Sequence, residues 1–212
     1  MKLLIVGINH FDLFGRKKLQ KCLKEISAIN RTIPAFVAVE YDKNHFKKIK
    51  EQRKLFRSLV KSEWTFLTEE QLNIFELSLA YEGDSHIDIY PEAEILWLDK
   101  DRQTDRIDMF TEDRLKVYKS LLSKLKYNQT NDNLLRILSN QVYKNADRSG
   151  NGDYRDVKFK ELICNKIYEK PQGWSLVIVG SNHTQNKSGF MRELIENECQ
   201  ECEVMLLDRT IE

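Results

Sequence analysis

Residues 4–10 read LIVGINH and residues 177–183 read VIVGSNH, identical at five of seven positions although they lie at opposite ends of a 212-residue chain. Each is an apolar run that stops at a glycine, Gly7 or Gly180, and then places Asn9 with His10, or Asn182 with His183, in the turn that follows. Runs this short and this rich in β-branched residues have the character of buried strands. If the two belong to one parallel sheet, their turns lie along its carboxyl-terminal edge, where open α/β sheets hold their ligands. His10 and His183 are therefore expected on one rim.

Working outward, FVAVE (36–40), ILWL (95–98) and CEVMLL (202–207) are further runs of the same type, which with KLLIVGI (2–8) and WSLVIVG (174–180) makes five candidate strands. Between them lie charged stretches with helical spacing at 12–29, 42–61, 69–82, 105–127, 131–146, 154–169 and 187–198. This alternation predicts a three-layer α/β/α fold with a mostly parallel central sheet of about five strands. Residues 105–147 contain no strand-like run and are expected to form a helical insertion before the fourth strand, within a single domain spanning 1–212. DRSGNGDY (147–154), with two glycines among Ser, Asn and Asp, is expected to be a loop, a lid beside a site being one use for it.

Composition sets the class. With 41% hydrophobic residues, three prolines and a net charge of +1, the chain can bury a core, and disordered or collagenous classes are excluded. LLIVGI (3–8) is too short to cross a bilayer and is followed by Asn9 and His10 rather than a cleavage site, so an uncleaved, soluble protein is expected. Four scattered cysteines do not make a disulfide framework, which points to a reducing cytoplasm. Cys199 and Cys202 form a CxxC without a second pair to complete a zinc site, so they read as incidental thiols.

Two other strands end in acids. FVAVE stops at Glu40, and ILWLD runs into Asp99, with Asp101 two residues on. One charge after an apolar strand means little, because a solvated rim follows any core. Four titratable residues on four strand ends mean more. Two neutral imidazoles and a carboxylate, His10, His183 and Glu40, form a three-ligand set for a divalent ion with an open position for water. Spacing does not name the metal; manganese, cobalt and zinc all suit such donors. An ion there would lower the pKa of bound water and polarise a carbonyl, the basis of metal-assisted hydrolysis. Without an ion the same groups suit His and Glu acid–base catalysis.

The paired GINH and GSNH, the VAVEYDKNHF stretch, the WLDKDRQTDR stretch and YRDVKFKELICNKI ahead of the last GxxH strand resemble the TraB/PrgY pheromone-shutdown family, whose more distant relatives are the Tiki proteases, ChaN-type haem-binding proteins and erythromycin esterases. The resemblance covers nearly the whole chain. It implies that Gly7 with His10 is the first GxxH, Glu40 the glutamate after strand two, and Gly180 with His183 the last GxxH. The family's Asp-Arg-Asp segment falls on Asp99, Lys100 and Asp101, with lysine for arginine, and its Arg-Asp pair on Arg155 and Asp156. For the Tiki branch it implies a metal-dependent hydrolase or peptidase. No haem-binding residues of the ChaN type can be located.

The resulting expectation is a cytoplasmic hydrolase of an amide or ester bond in a small molecule or peptide. Asp99 and Asp101 would orient a histidine or serve as further ligands. Arg155 would stabilise an oxyanion or hold a substrate carboxylate, and Asp156 would fix the guanidinium. The alternative is a non-catalytic ligand-binding or regulatory domain that keeps the same polar cluster. A weaker alternative is a nucleic-acid-associated factor, because residues 43–61 hold eight Lys/Arg and one acid. At helical spacing, however, Phe46, Ile49, Phe56 and Leu59/Val60 form the buried stripe there and the lysines a solvated face, and the chain as a whole is not basic. Residues 190–212 carry seven acids and two bases, so an acidic partner, including a second copy in a homo-oligomer, suits the basic helix equally well.

Overall fold

The computed structural model describes residues 1–99, 112–123, 151–184 and 201–207. Its elements are β1 (Lys2–Ile8), α1 (Gly15–Asn30), β2 (Val37–Val39), α2 (Lys43–Glu63), α3 (Glu69–Ser78), a 3-10 turn (Tyr81–Gly83), β3 (Ile95–Trp97), α4 (Glu112–Ser123), α5 (Asn151–Glu169), β4 (Trp174–Gly180), α6 (Ser181–Thr184) and β5 (Glu201–Leu206). The strands form one parallel sheet in the order β3-β2-β4-β1-β5. Helices flank it, as expected for a three-layer α/β/α fold. No described helix is long and apolar enough to cross a membrane.

β1, β2 and β4 read as apolar runs because both faces of the sheet are covered there; β5, at the edge, carries exposed Glu201 and Glu203. Side chains alternate between the faces. Leu3, Ile5, Ala38, Val177 and Val179 point to the side where α5 supplies Phe159 and Ile163. Leu4, Val6, Val37, Val39, Leu176 and Ile178 point to the side where α1 supplies Leu19, Leu23 and Ile26. A third cluster joins α2, α3 and α4 through Phe46, Ile49, Val60, Phe75, Leu79, Tyr118 and Leu122, and Phe11 and Leu13 extend it to the turn after β1.

Several boundaries differ from expectation. The helix expected over 69–82 stops at Ser78, because Leu79 is extended and Ala80 adopts a left-handed conformation with φ of 50°. It starts with a capping box between Thr68 and Gln71. Residues 151–154, expected in the loop 147–154, already belong to α5. Of the expected insertion 105–147, residues 112–123 are helical; the remainder, like the stretches 131–146 and 187–198, lies outside the described residues.

Candidate functional site

β1 and β4 are neighbours, with Gly7 opposite Val179 and Ile8 opposite Gly180. The repeated motif therefore occupies two adjacent strand ends, offset by one residue. After β1, Asn9 shapes the turn: its side-chain oxygen accepts the Phe11 N–H at 3.0 Å and its carbonyl accepts the Asp12 N–H at 3.0 Å. After β4 the chain enters α6 at once, which carries His183. Asn182 lies beside His183 in α6.

Glu40, one residue past β2, lies between the two histidines. Its Oε2 is 3.5 Å from His10 Nε2, and its Oε1 is 3.1 Å from His183 Nε2. The Gly180 N–H donates to Glu40 Oε2 at 2.6 Å. A Cβ on Gly180 would stand 2.7 Å from His10 Nε2 and 3.2 Å from Glu40 Oε2, so the glycine leaves room for both side chains. Each imidazole has a second, private carboxylate behind it. His10 Nδ1 is 2.6 Å from Glu82 Oε1, and His183 Nδ1 is bonded to Asp156 Oδ1. The result is a chain of contacts running Glu82, His10, Glu40, His183, Asp156.

Arg155 crosses this chain. Its Nη2 donates to Glu40 Oε1 at 2.7 Å, while Nε and Nη2 fork onto the two Asp99 oxygens at 3.2 and 2.8 Å. The guanidinium also lies 5.1 Å from the Phe159 ring centroid. Asp156 was expected to fix this guanidinium and Asp99 to orient a histidine; the two roles are exchanged. Successive residues on a helix point about 100° apart and do not face each other, so Arg155 and Asp156 meet different partners of the same cluster. Asp101 lies outside the described residues.

The electrostatics follow from burial and pairing. Burial alone would push the Glu40 carboxyl up, but the charges of His183, Arg155 and His10 and the His10 hydrogen bond hold it well below the usual carboxylate range. Burial would push His183 down, yet the Glu40 charge and the bonds to Asp156 and Glu40 outweigh it and lift His183 to about 9, with Arg155 subtracting. Arg155, despite burial, is raised by Glu40 and Asp99 and stays charged.

An ionised carboxylate only accepts, so a histidine backed by one donates from Nδ1. Each Nε2 then faces a Glu40 oxygen, and a bare lone pair against an anion is repulsive. A proton on Nε2, or a metal ion between the two, removes that repulsion. Imidazoles held by carboxylates at Nδ1 with Nε2 facing inward are also the arrangement around metal-bound histidines. The separations of 3.1 and 3.5 Å are close to the ligand–ligand edge of a four-coordinate ion, about 3.3 Å for bonds near 2.0 Å. Arg155 already occupies Glu40 Oε1, however, and among the described residues no group of three or more His, Cys, Asp or Glu is arranged to hold a metal. The donor set fits an ion only if Glu40 gives up part of its present bonding.

Glu82 was missed in the sequence, where it read as the end of a helix. The available signal was YEGDSH (81–86), a run dense in polar groups between apolar segments, with one of only four histidines.

No protein-family model matches this chain, and no curated protein matches it in sequence. Among solved structures, the type III effector HopBA1 is similar over 97% of this chain and 75% of that chain, at 11% identity and a TM-score of 0.38. At that distance the likeness carries no functional argument.

Proposed function

We propose that this chain is a cytoplasmic hydrolase of an amide or ester bond in a small molecule or peptide, working through two carboxylate-backed histidines that share Glu40. The observation that carries the reading is the mirrored pair of dyads: Glu82 behind His10 and Asp156 behind His183, with both Nε2 atoms turned to one glutamate. Hydrolysis needs one group to take a proton from water and another to give one to the leaving atom, and two oriented imidazoles supply both. Held charged by Glu40 and Asp156, His183 suits the acid role, and His10 takes the base role in the form whose Nε2 carries no proton. Arg155 has further N–H donors beyond those spent on Asp99 and Glu40, and it suits the oxyanion of the tetrahedral intermediate. The resemblance to the TraB/PrgY and Tiki proteins supports the same reading.

A second reading, favoured by the lone-pair argument above, places a divalent ion between the two Nε2 atoms and Glu40. His10, His183 and Glu40 would hold it, and the ion would supply an activated water. Metal ligation then requires loss of the Nε2 protons, so binding is coupled to proton release.

Purified chain assayed against activated esters and amides, with and without a chelator and with manganese, cobalt or zinc restored, tests both. Hydrolysis that His183→Ala abolishes supports the proposal, and chelator resistance selects the first form. Absence of hydrolysis in every condition would sink it and leave a ligand-binding domain as the reading.

A further inference from the structure

The turn at 79–86 is pinned more heavily than a chain reversal requires. Arg53, buried on α2, donates to the carbonyls of Leu79 at 3.0 Å and Ala80 at 3.1 Å and to Asp84 Oδ2 at 2.9 Å. Arg16 on α1 donates to the other Asp84 oxygen at 2.7 Å. The Tyr81 hydroxyl donates to the Asn9 carbonyl at 2.9 Å, one residue before His10. Gly83 lies so close to the Phe46 ring that a Cβ would stand 2.3 Å from a ring carbon. Ala80 holds a left-handed φ of 50°, which a residue with a Cβ adopts only where its surroundings impose it.

What this turn delivers is Glu82. It is 1% exposed, its Oε1 meets His10 Nδ1 at 2.6 Å, and its Oε2 has no hydrogen-bond partner among the described residues. Burying a carboxylate costs free energy that an apolar residue of similar size would avoid, so packing does not account for a glutamate here. Its one described side-chain bond is to the histidine.

We propose that Glu82 is the positioning residue of His10: it fixes Nδ1 as the donor, so that Nε2 is aimed at Glu40, and the Arg53–Asp84–Arg16 clamp sets where Glu82 stands. The inference rests on the reading of His10 as a reacting group, but it concerns ring orientation and is testable without any substrate.

The test uses the full chain labelled with 15N-histidine and followed by NMR, with the His10 signals assigned by their loss in His10→Gln. Wild type is expected to show an Nδ1-bound proton at His10, shifted far downfield and protected from exchange with water. Glu82→Gln keeps the shape and an acceptor oxygen but removes the charge, so the signal should remain and move upfield, because bonds to an ionised acceptor are shorter and stronger. Asp84→Asn should broaden it by loosening the clamp. Where hydrolysis is measurable, Glu82→Gln should lower kcat at least tenfold with KM little changed, since neutralising the carboxylate that orients a catalytic histidine can cost far more than that. A His10 Nδ1 without a bound proton, or a signal identical in wild type and Glu82→Gln, overturns the proposal. Hydrolysis that depends on His10 but not on Glu82 also overturns it. The NMR signature without hydrolysis of any substrate supports the positioning role while removing the hydrolase reading.

Discussion

Gly180 and Glu40 are joined by a backbone-to-carboxylate hydrogen bond of 2.6 Å, at a point where a Cβ on Gly180 would stand 2.7 Å from His10 Nε2. The end of β4 thus holds the central carboxylate while leaving room for the imidazole that follows β1. Gly180→Ala is expected to push the His10 ring off Glu40. The displaced atom is the tip of a side chain, so the stability loss should be small, about 1 kcal/mol. Hydrolytic activity should fall at least tenfold, since a displacement of about 1 Å can cost far more than that. Thermal unfolding and kcat/KM measured on the same preparation check both halves.

Stability should fall as the solution becomes alkaline. His183 has its folded pKa raised from 6.5 to about 9, so its contribution is fully present below pH 6.5 and is lost as pH rises through about 9. Glu40 works the other way: its folded pKa is lowered, so its contribution is present above the ordinary carboxylate value of 4.5 and disappears as pH falls below it. Urea midpoints between pH 2 and 10 should therefore trace a dome, and in His183→Gln the alkaline slope should flatten. An unchanged midpoint from pH 7 to 10 in wild type would contradict the assignment.

Arg155 is the fixed cation between Glu40 and Asp99, and its side chain is 28% exposed. Arg155→Ala leaves two buried carboxylates facing each other. The expected loss is about 2 kcal/mol, below the range for fully buried pairs because solvent reaches the guanidinium. Arg155→Lys keeps the charge but not the fork, and should recover part of the stability and little of the activity. Chemical denaturation of the three proteins separates these outcomes.

Much of this arrangement could be read from the residues. LIVGINH, VIVGSNH and FVAVE declare themselves because strands buried on both faces have no polar position until they end, so His10, His183 and Glu40 stand at visible boundaries. Glu82 does not, because Leu79 and Ala80 break the helix through backbone angles that no residue type there announces. Arg53 sits among lysines and reads as one more solvated charge, although it is buried against Asp84. The pairing of Asp156 with His183 and Asp99 with Arg155 was also hidden, since it depends on which way α5 faces the sheet.

If a divalent ion occupies the site, it replaces the protons on the two Nε2 atoms. Its apparent affinity should then rise with pH toward about 9, where His183 titrates, and binding should release protons. Calorimetry in buffers of different ionisation enthalpy measures the number released. Binding that is independent of pH between 6 and 9 would exclude His183 as a ligand.

The most direct measurement is a double-mutant cycle on kcat/KM with His10→Ala, His183→Ala and the pair, for whichever activated ester or amide the wild type cleaves. Residues that act as one unit are strongly non-additive. The account predicts that each single variant loses at least a hundredfold, roughly the share that acid–base groups supply, and that the double variant loses little more. Losses that simply multiply, or a single variant that keeps wild-type activity, would show that the two histidines do not work together across Glu40.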